Sequence, residues 1–226
     1  MLHTLNLNAS QFSEAVKDAV IYTGKDRYDD MMNSVILSIT SKGKKLSVVA
    51  CDGNGYYERR LNLLRSKGDP KPTLPGKESR ICIASQDAAM LSKFITPRTM
   101  GGVMLELDDA KASDGRYRVR LSLADGASTT FLSRADVNIP DYSPIVASAE
   151  KGRKTMPKLG EMYIPVSEMA RASKVFPSKY GKTARISTAK GNQQTGCLAL
   201  LEYQEEDSDV DIRVIFMLSG AESAAA

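Results

Sequence analysis

A weak threefold repeat constrains this chain more than any other feature of its sequence. Each copy opens with a short strand-like stretch and continues as an amphipathic helix, with a Ser or Asn where the helix would be capped. The copies begin at Leu5, at Ile81 and at Met162. Repetition of one unit predicts a fold assembled from like pieces. The apolar helix faces are Phe12, Val16 and Ala19, then Ala88, Leu91 and Ile95, then Met169, Ala172 and Phe176.

Three strand-like runs follow each predicted helix, and turn sequences separate them. Asp52-Gly53-Asn54-Gly55 and Asp125-Gly126 are typical of hairpin turns, and hairpins join antiparallel strands. The repeating unit is therefore strand, helix and three strands. This order predicts an α+β fold with antiparallel sheets outside and helices on one face.

The repeat also divides the chain into domains. We predict a domain of two units over residues 1–148, with units at 1–66 and 80–148 and a linker rich in Pro and Gly at 67–79. A second linker is predicted at 149–160, within a stretch from Ser143 to Gly160 of similar composition. The third unit, 161–219, forms half a domain, and 220–226 is a flexible tail.

Histidine and cysteine are too sparse for most catalytic or metal chemistry. His3 is the only histidine, which nearly excludes catalytic triads and His-based metal sites. Cys51, Cys82 and Cys197 lie far apart with no CxxC spacing, which argues against zinc and against disulfides. No apolar run reaches the ~18–20 residues of a membrane span, and no signal peptide precedes the repeat. We therefore expect a cytoplasmic protein with no cofactor and no membrane partner.

An enzyme remains the first alternative, with Cys51 as its best nucleophile. A reactive cysteine needs a neighbouring base or a helix N-terminus, and the sequence provides neither, so a small buried strand residue is the simpler interpretation. The pairs Asp29-Asp30 and Asp108-Asp109 could hold a metal. Adjacent side chains point apart, however, and both pairs lie at predicted loops or strand ends, so solvated turns are the preferred interpretation. The sequence thus predicts a protein without enzymatic activity.

Basic residues recur at one place in the unit, although the net charge is only +4. A lysine stands ten residues after the aligned strand position of every copy, and we call Lys17, Lys93 and Lys174 the aligned lysines. A basic helix face predicts contact with a phosphate backbone without base reading, whereas the plain alternative is a solvated helix surface. The further basic residues on or after these helices are Lys25, Arg27, Arg98, Arg171 and Lys179.

Three short segments carry a resemblance to a known family. The segment from Lys45 to Gly53 is similar to a hairpin strand that ends in Asp-Gly. Residues 138–142, Asn-Ile-Pro-Asp-Tyr, are similar to a Phe-Pro-Asp-Tyr stretch that leads out of a middle domain, and residues 214–218 to a C-terminal strand. All three features belong to DNA sliding clamps, and the chain resembles in particular the bacterial DNA polymerase III β subunit.

The resemblance implies a processivity factor that encircles duplex DNA as a homo-oligomeric ring, with helices lining the hole. It also implies a cleft that receives short motifs of the DNA polymerase and the clamp loader. By position, the cleft residues would be Pro140, Ile145, Ile215 and Met217. For Ile215 and Met217, alternation into the core of the last strand is the other interpretation.

The number of units departs from the family pattern. A β subunit has six such units, and this chain shows three. An unpaired third unit exposes a sheet edge and one side of a helix, which the third unit of a second chain could cover. Four chains would then close a ring of about twelve units. The alternative is a clamp-like interaction module that binds replication or repair partners without encircling DNA.

Overall fold

The computed structural model describes most of the repeat units and part of the segments between them. The described residues are 2–24, 32–39, 44–65, 71–75, 79–96, 99, 101–134, 142–154, 166–176, 185–190, 197–204 and 211–218. None of the described helices is long and apolar enough to cross a membrane.

The first two units follow the predicted order of strand, helix and three strands. The first consists of β1 (Leu2–Asn8), α1 (Ala9–Ile21), β2 (Ser34–Ile39), β3 (Lys45–Cys51) and β4 (Gly55–Asn62). The second consists of β5 (Arg80–Ala84), α2 (Ser85–Phe94), β6 (Gly102–Lys111), β7 (Tyr117–Leu123) and β8 (Ser128–Leu132). Asn8 caps α1 as the sequence predicts, because its side-chain oxygen accepts the N–H of Gln11 at 3.0 Å.

The third unit is described from its helix onward. Its predicted first strand, at 162–166, lies almost wholly outside the described residues. A further helix, α3 (Ser143–Lys154), precedes it. The unit itself consists of α4 (Val166–Val175), β9 (Arg185–Lys190), β10 (Cys197–Gln204) and β11 (Asp211–Leu218).

Two antiparallel sheets join the units. A four-stranded sheet has the order β1-β6-β7-β8, and a seven-stranded sheet has the order β5-β2-β3-β4-β11-β10-β9. Units one and two exchange their first strands, since β1 pairs with β6 and β5 pairs with β2. The third unit is attached differently, by β11 on β4.

One core lies between the sheets and three of the helices. Phe12, Val16 and Ala19 of α1 are buried in it, as are Ala88 and Leu91 of α2, which confirms the predicted faces of these helices. Ala172 and Val175 bring α4 into the same core. The predicted α+β fold, with antiparallel sheets and helices on one face, is confirmed for these elements.

The helix α3 overlaps the predicted linker at 149–160, which is therefore helical over 149–154. This helix packs on β9 and β10, and its residues Ile145, Val146 and Ala149 belong to a second apolar cluster. The same cluster contains Ile36 and Val49, whose neighbours along β2 and β3 point into the main core. The apolar outer face of the sheet therefore makes a helix favourable in a segment whose local composition favours a linker.

Candidate functional site

Three neighbouring helices present the aligned lysines to solvent. Lys17, Lys93 and Lys174 are all exposed, while the opposite sides of their helices enter the single core described above. In α2 and α4 the lysine lies in the last helical turn, where a positive charge also suits the helix dipole. Each of three neighbouring helices thus carries one exposed ammonium group.

Hydrogen bonds hold α1 in the middle of this helix row. The Ser13 hydroxyl on α1 donates to the carbonyl oxygens of Ser92 at 3.0 Å and Ile95 at 3.2 Å, at the end of α2. On the other side, Arg171 of α4 donates to the carbonyl oxygen of Ile21 at 3.2 Å. The order across the row is therefore α2, α1 and α4.

Arg171 has a structural task, which corrects its predicted place among the DNA-contacting residues. Its Nη2 lies 2.8 Å from Oδ2 of Asp52, and its Nη1 lies 2.8 Å from Oε1 of Glu168. Its guanidinium also stacks over the ring of Tyr22, 4.4 Å from the centroid. Because one face and both terminal nitrogens of the group are engaged within the chain, Arg171 joins α4 to α1 and to the β3–β4 turn.

The electrostatics of this contact favour the charged guanidinium. Burial by itself opposes the charge of Arg171, but the carboxylates of Asp52 and Glu168 outweigh it and raise the pKa above its ordinary value. Burial also raises the pKa of the Tyr22 hydroxyl well above its usual range, so this ring stays neutral beneath the cation. Sequence reasoning missed Tyr22 and Asp52, because only the tertiary structure brings them to Arg171.

Two of the predicted cleft residues meet, but they meet in a covered cluster. Ile215 is 2% exposed and packs with Tyr56 beneath α3, while Ile145 of α3 is half-buried against the same cluster. In the described structure Ile215 therefore does not line an open cleft, because its side chain is buried in a cluster with Leu200 of β10 and Ala149 of α3. The core interpretation holds for Ile215.

The remaining predicted site residues lie partly or wholly outside the described residues. Met217 lies in β11 opposite Leu198 of β10 in register, and its side chain is outside what the structure describes. The predicted site residues that lie outside the described ranges are Lys25, Arg27, Arg98, Pro140 and Lys179.

The environment of Cys51 does not suit a nucleophile. Burial raises the pKa of its thiol, and hydrogen bonds with the Gly53 backbone and with Tyr142 only partly offset that effect. A raised pKa leaves little thiolate at neutral pH. Within the described ranges, no three His, Cys, Asp or Glu side chains come together as a set of metal ligands.

One side of α4 is apolar and open to solvent. Met169 and Val166 are 41% and 84% exposed, respectively. They stand five and eight residues before the aligned lysine. The residues at those positions of α1, Phe12 and Ala9, are fully buried in the common core. The third unit therefore presents the surface that the paired units cover.

Solved structures with the same arrangement of sheets and helices are bacterial sliding clamps. The chain is 12% identical to DNA polymerase III subunit beta from Borrelia burgdorferi, covering 96% of this chain and 64% of that one with a TM-score of 0.61. It is 11% identical to the DNA polymerase sliding clamp from Bacillus subtilis, covering 97% of this chain and 64% of that one with a TM-score of 0.62. It is 13% identical to the DNA polymerase sliding clamp from Pseudomonas aeruginosa, covering 96% of this chain and 66% of that one with a TM-score of 0.63. The chain has the DNA sliding-clamp fold.

The likeness to the clamps is one of fold. No protein-family model matches the chain, and no curated protein has a similar sequence. The chain spans 64% to 66% of the length of the three clamps named above. The open side of α4 lies in the third unit.

Proposed function

We propose that the chain is a DNA polymerase processivity factor, which encircles duplex DNA as a homo-oligomeric ring and tethers the polymerase. The observation that carries this proposal is the row of three helices in a clamp fold, each with an exposed lysine at the same position. A sliding ring needs weak contacts to phosphates that do not depend on base sequence. Lysine suits this task because its charge sits on a flexible stem and makes no bidentate lock.

The proposed DNA-contacting surface consists of the aligned lysines and the basic residues that follow the helices. Arg171 is left out, since its charge is engaged by Asp52 and Glu168. The residues that complete the proposed surface are Lys25, Arg27, Arg98 and Lys179.

The open side of α4 supports self-association through the third unit. Units one and two cover the equivalent side of α1 by packing together and exchanging their first strands. A second copy could offer the third unit the same cover, with the two copies related by a two-fold axis. Burial of Met169 and Val166 in such a contact would remove apolar surface from water.

The proposed partners also include the DNA polymerase and its clamp loader, through short peptide motifs. We place their cleft beside Ile145 of α3, over the buried Ile215, and include Pro140 and Met217 by their positions in the sequence alone. The half-buried state of Ile145 beside the buried Ile215 supports this location.

The deciding experiment compares retention on circular and linear DNA. Labelled protein is loaded on nicked circular plasmid with its clamp loader, and gel filtration follows before and after one restriction cut. An encircling ring remains on the circle and leaves the linear product. Equal retention on both forms would point to ordinary DNA binding. Uptake of polymerase peptides with no DNA retention would point to the interaction module.

Charge reversal tests the helix row within the same assay. Lys17→Glu, Lys93→Glu and Lys174→Glu together should abolish loading and leave folding intact, because all three side chains are exposed. The control is Arg118→Glu with Arg120→Glu. Both residues are exposed on one face of β7, while Val119 and Leu121 on the opposite face are buried in the core. Normal loading by the triple variant, or equal loss in the control, would contradict the assignment.

A further inference from the structure

Six apolar side chains form a cluster on the outside of the seven-stranded sheet, opposite the main core. Each comes from a different strand, and each is at most 6% exposed. Their neighbours along the strands point into the main core, so these six point away from it. We call the following residues the outer cluster: Ile36, Val49, Tyr56, Cys82, Leu200 and Ile215.

The described part of the four-stranded sheet has a polar outer face instead. One row of paired residues crosses its four strands and consists of Thr4, Glu106, Arg120 and Thr130. Antiparallel sheets commonly turn such a polar face to water. Because both sheets are built from the same hairpin units, the apolar outer face of the larger sheet is not a requirement of the fold.

Tyr142 and the helix α3 cover the outer cluster. The ring of Tyr142 lies 5.3 Å from the ring of Tyr56, and its side chain is hydrogen-bonded to the thiol of Cys51. The helix α3 packs on β9 and β10. The cover therefore contacts strands of the first unit and of the third.

Few buried side chains hold this cover in place. Among the described side chains of α3, only Ala149 is fully buried, whereas Ile145 and Val146 are half-buried. A helix of 12 residues is marginal in water on its own, and Gly152 weakens it further. Segments with few buried apolar contacts open before the rest of a fold does. Except for the end strand β5, the strands beneath are paired on both sides, so the sheet persists when the helix leaves.

The cover also indicates which ligand the outer cluster accepts. Four residues pack against it from positions i, i+3, i+4 and i+7, namely Tyr142, Ile145, Val146 and Ala149. The helical geometry includes Tyr142, because its carbonyl oxygen accepts the N–H groups of Ile145 and Val146, both at 3.1 Å. Apolar residues at this spacing are the anchors by which an amphipathic helix enters an apolar groove. A helix of another protein with the same spacing would compete with α3 for this surface.

We propose that α3 is an autoinhibitory cover, which an apolar helical segment of a partner protein displaces from the outer cluster. The identity of that partner as a polymerase or a clamp loader rests on the proposed function, whereas the cover and its release rest on the fold. The closed state keeps the apolar surface from water when no partner is bound. Because α3 is tethered beside the cluster, its effective concentration there is high, and a partner must compete against it.

The first test opens the cover and measures the exposure of Cys51. Ala149→Asp puts a carboxylate into the apolar contact, where it loses its hydration, and should release α3. The matched control is Ala147→Asp, because Ala147 is exposed on the same helix. Reaction of Cys51 with iodoacetamide, located by mass spectrometry, should be several-fold faster in Ala149→Asp and unchanged in Ala147→Asp.

A second pair of variants keeps this test independent of a buried charge. Ser148 is exposed, so Ser148→Pro and Ser148→Ala remove no apolar contact, but proline interrupts the helix. Only Ser148→Pro should speed the reaction of Cys51, and cooperative thermal unfolding shows that the sheets remain folded. If neither Ser148→Pro nor Ala149→Asp accelerates the reaction, α3 is not displaceable and the proposal is overturned.

The second test measures whether the opened cluster binds a helix supplied in trans. The probe is a fluorescent synthetic peptide of residues 142–154 of this chain, and the control peptide carries Ile145→Asp and Ala149→Asp. By fluorescence anisotropy, the probe should bind both opened variants at least about tenfold more tightly than the wild type, whose own α3 fills the site. The control peptide should bind none of them. Equal binding of the probe to the wild type and the opened variants, or binding to none, would overturn the proposal.

The failure of this proposal and the failure of the proposed function give different results, because neither test uses DNA. If the opened variants bind the probe but the wild type shows no preference for circular DNA, the cover stands and the encircling function is wrong. If the wild type is retained on circular DNA but the opened variants do not bind the probe, the cover is wrong and the encircling function stands.

Discussion

At the scale of single residues, Arg171 and Lys174 show two uses of positive charge on one helix. Arg171 spreads its guanidinium over two carboxylates, a carbonyl oxygen and the ring of Tyr22. Lys174, three residues later, is exposed. The planar fork of arginine suits a fixed contact within the chain, and the mobile ammonium suits a contact with a sliding partner.

Arg171→Met should lower the free energy of unfolding by about 1–3 kcal/mol, because it leaves partly buried carboxylates without their partner. Urea unfolding followed by circular dichroism measures the change. The control is Lys174→Met on the same helix, whose effect should stay within about 0.5 kcal/mol because its side chain is exposed. Equal effects of the two substitutions would show that Arg171 does not hold α4 in place.

At the scale of elements, equivalent helix positions differ in burial because their neighbours differ. Phe12 in α1 is fully buried against the second unit, while Met169 at the same position of α4 is 41% exposed. Periodicity alone predicts that both residues are buried in the core. In the described structure, neighbouring elements cover Phe12 but leave Met169 partly open to solvent. The sequence therefore predicts the apolar residues of α4 correctly, but the prediction that all of them are buried is wrong for Met169.

Met169→Asp should halve the mass of the assembly, because a carboxylate in the apolar contact between third units loses its hydration. Folding should persist, since the side chain is partly exposed in the single chain. The control is Ser167→Asp, because the equivalent residues of the two paired units, Ser10 and Gln86, remain exposed. Light scattering measures both, and an unchanged mass for Met169→Asp would rule out this contact.

At the scale of the whole molecule, two kinds of junction hold the three units together. Units one and two exchange first strands, so each sheet contains residues of both. The third unit is joined by one strand pairing, by the contacts of Arg171 and by the burial of Ala172 and Val175 in the common core.

A closed ring predicts that retention on circular DNA depends only weakly on salt. Phosphate contacts weaken steeply with salt, with a slope of about −0.9 in log K per phosphate neutralised, whereas a closed ring is held by topology. Raising the salt after loading should therefore release protein from linear DNA and leave it on nicked circles. Equal release from both forms would mean that charge alone holds the protein.

The sequence predicted much of the fold, but it predicted less of the candidate functional site. Hairpin turns such as Asp52-Gly53-Asn54-Gly55 and the helical spacing of Phe12 and Val16 are local signals, and the first two units match them. The α3 helix was missed because its stability comes from an apolar sheet face made by distant strands. Ile215 was expected at the surface because the sequence does not show that α3 covers it.

The sequence by itself determined the repeating unit, the antiparallel hairpins and the placement of a lysine at one position of three helices. These follow from spacing within a few residues, where turn chemistry and periodicity act. The tertiary structure alone decided that β1 and β5 exchange sheets, that Arg171 meets Asp52, and that Met169 stays open. Such contacts join residues far apart in the chain, and their energies depend on which elements pack together and not on local pattern.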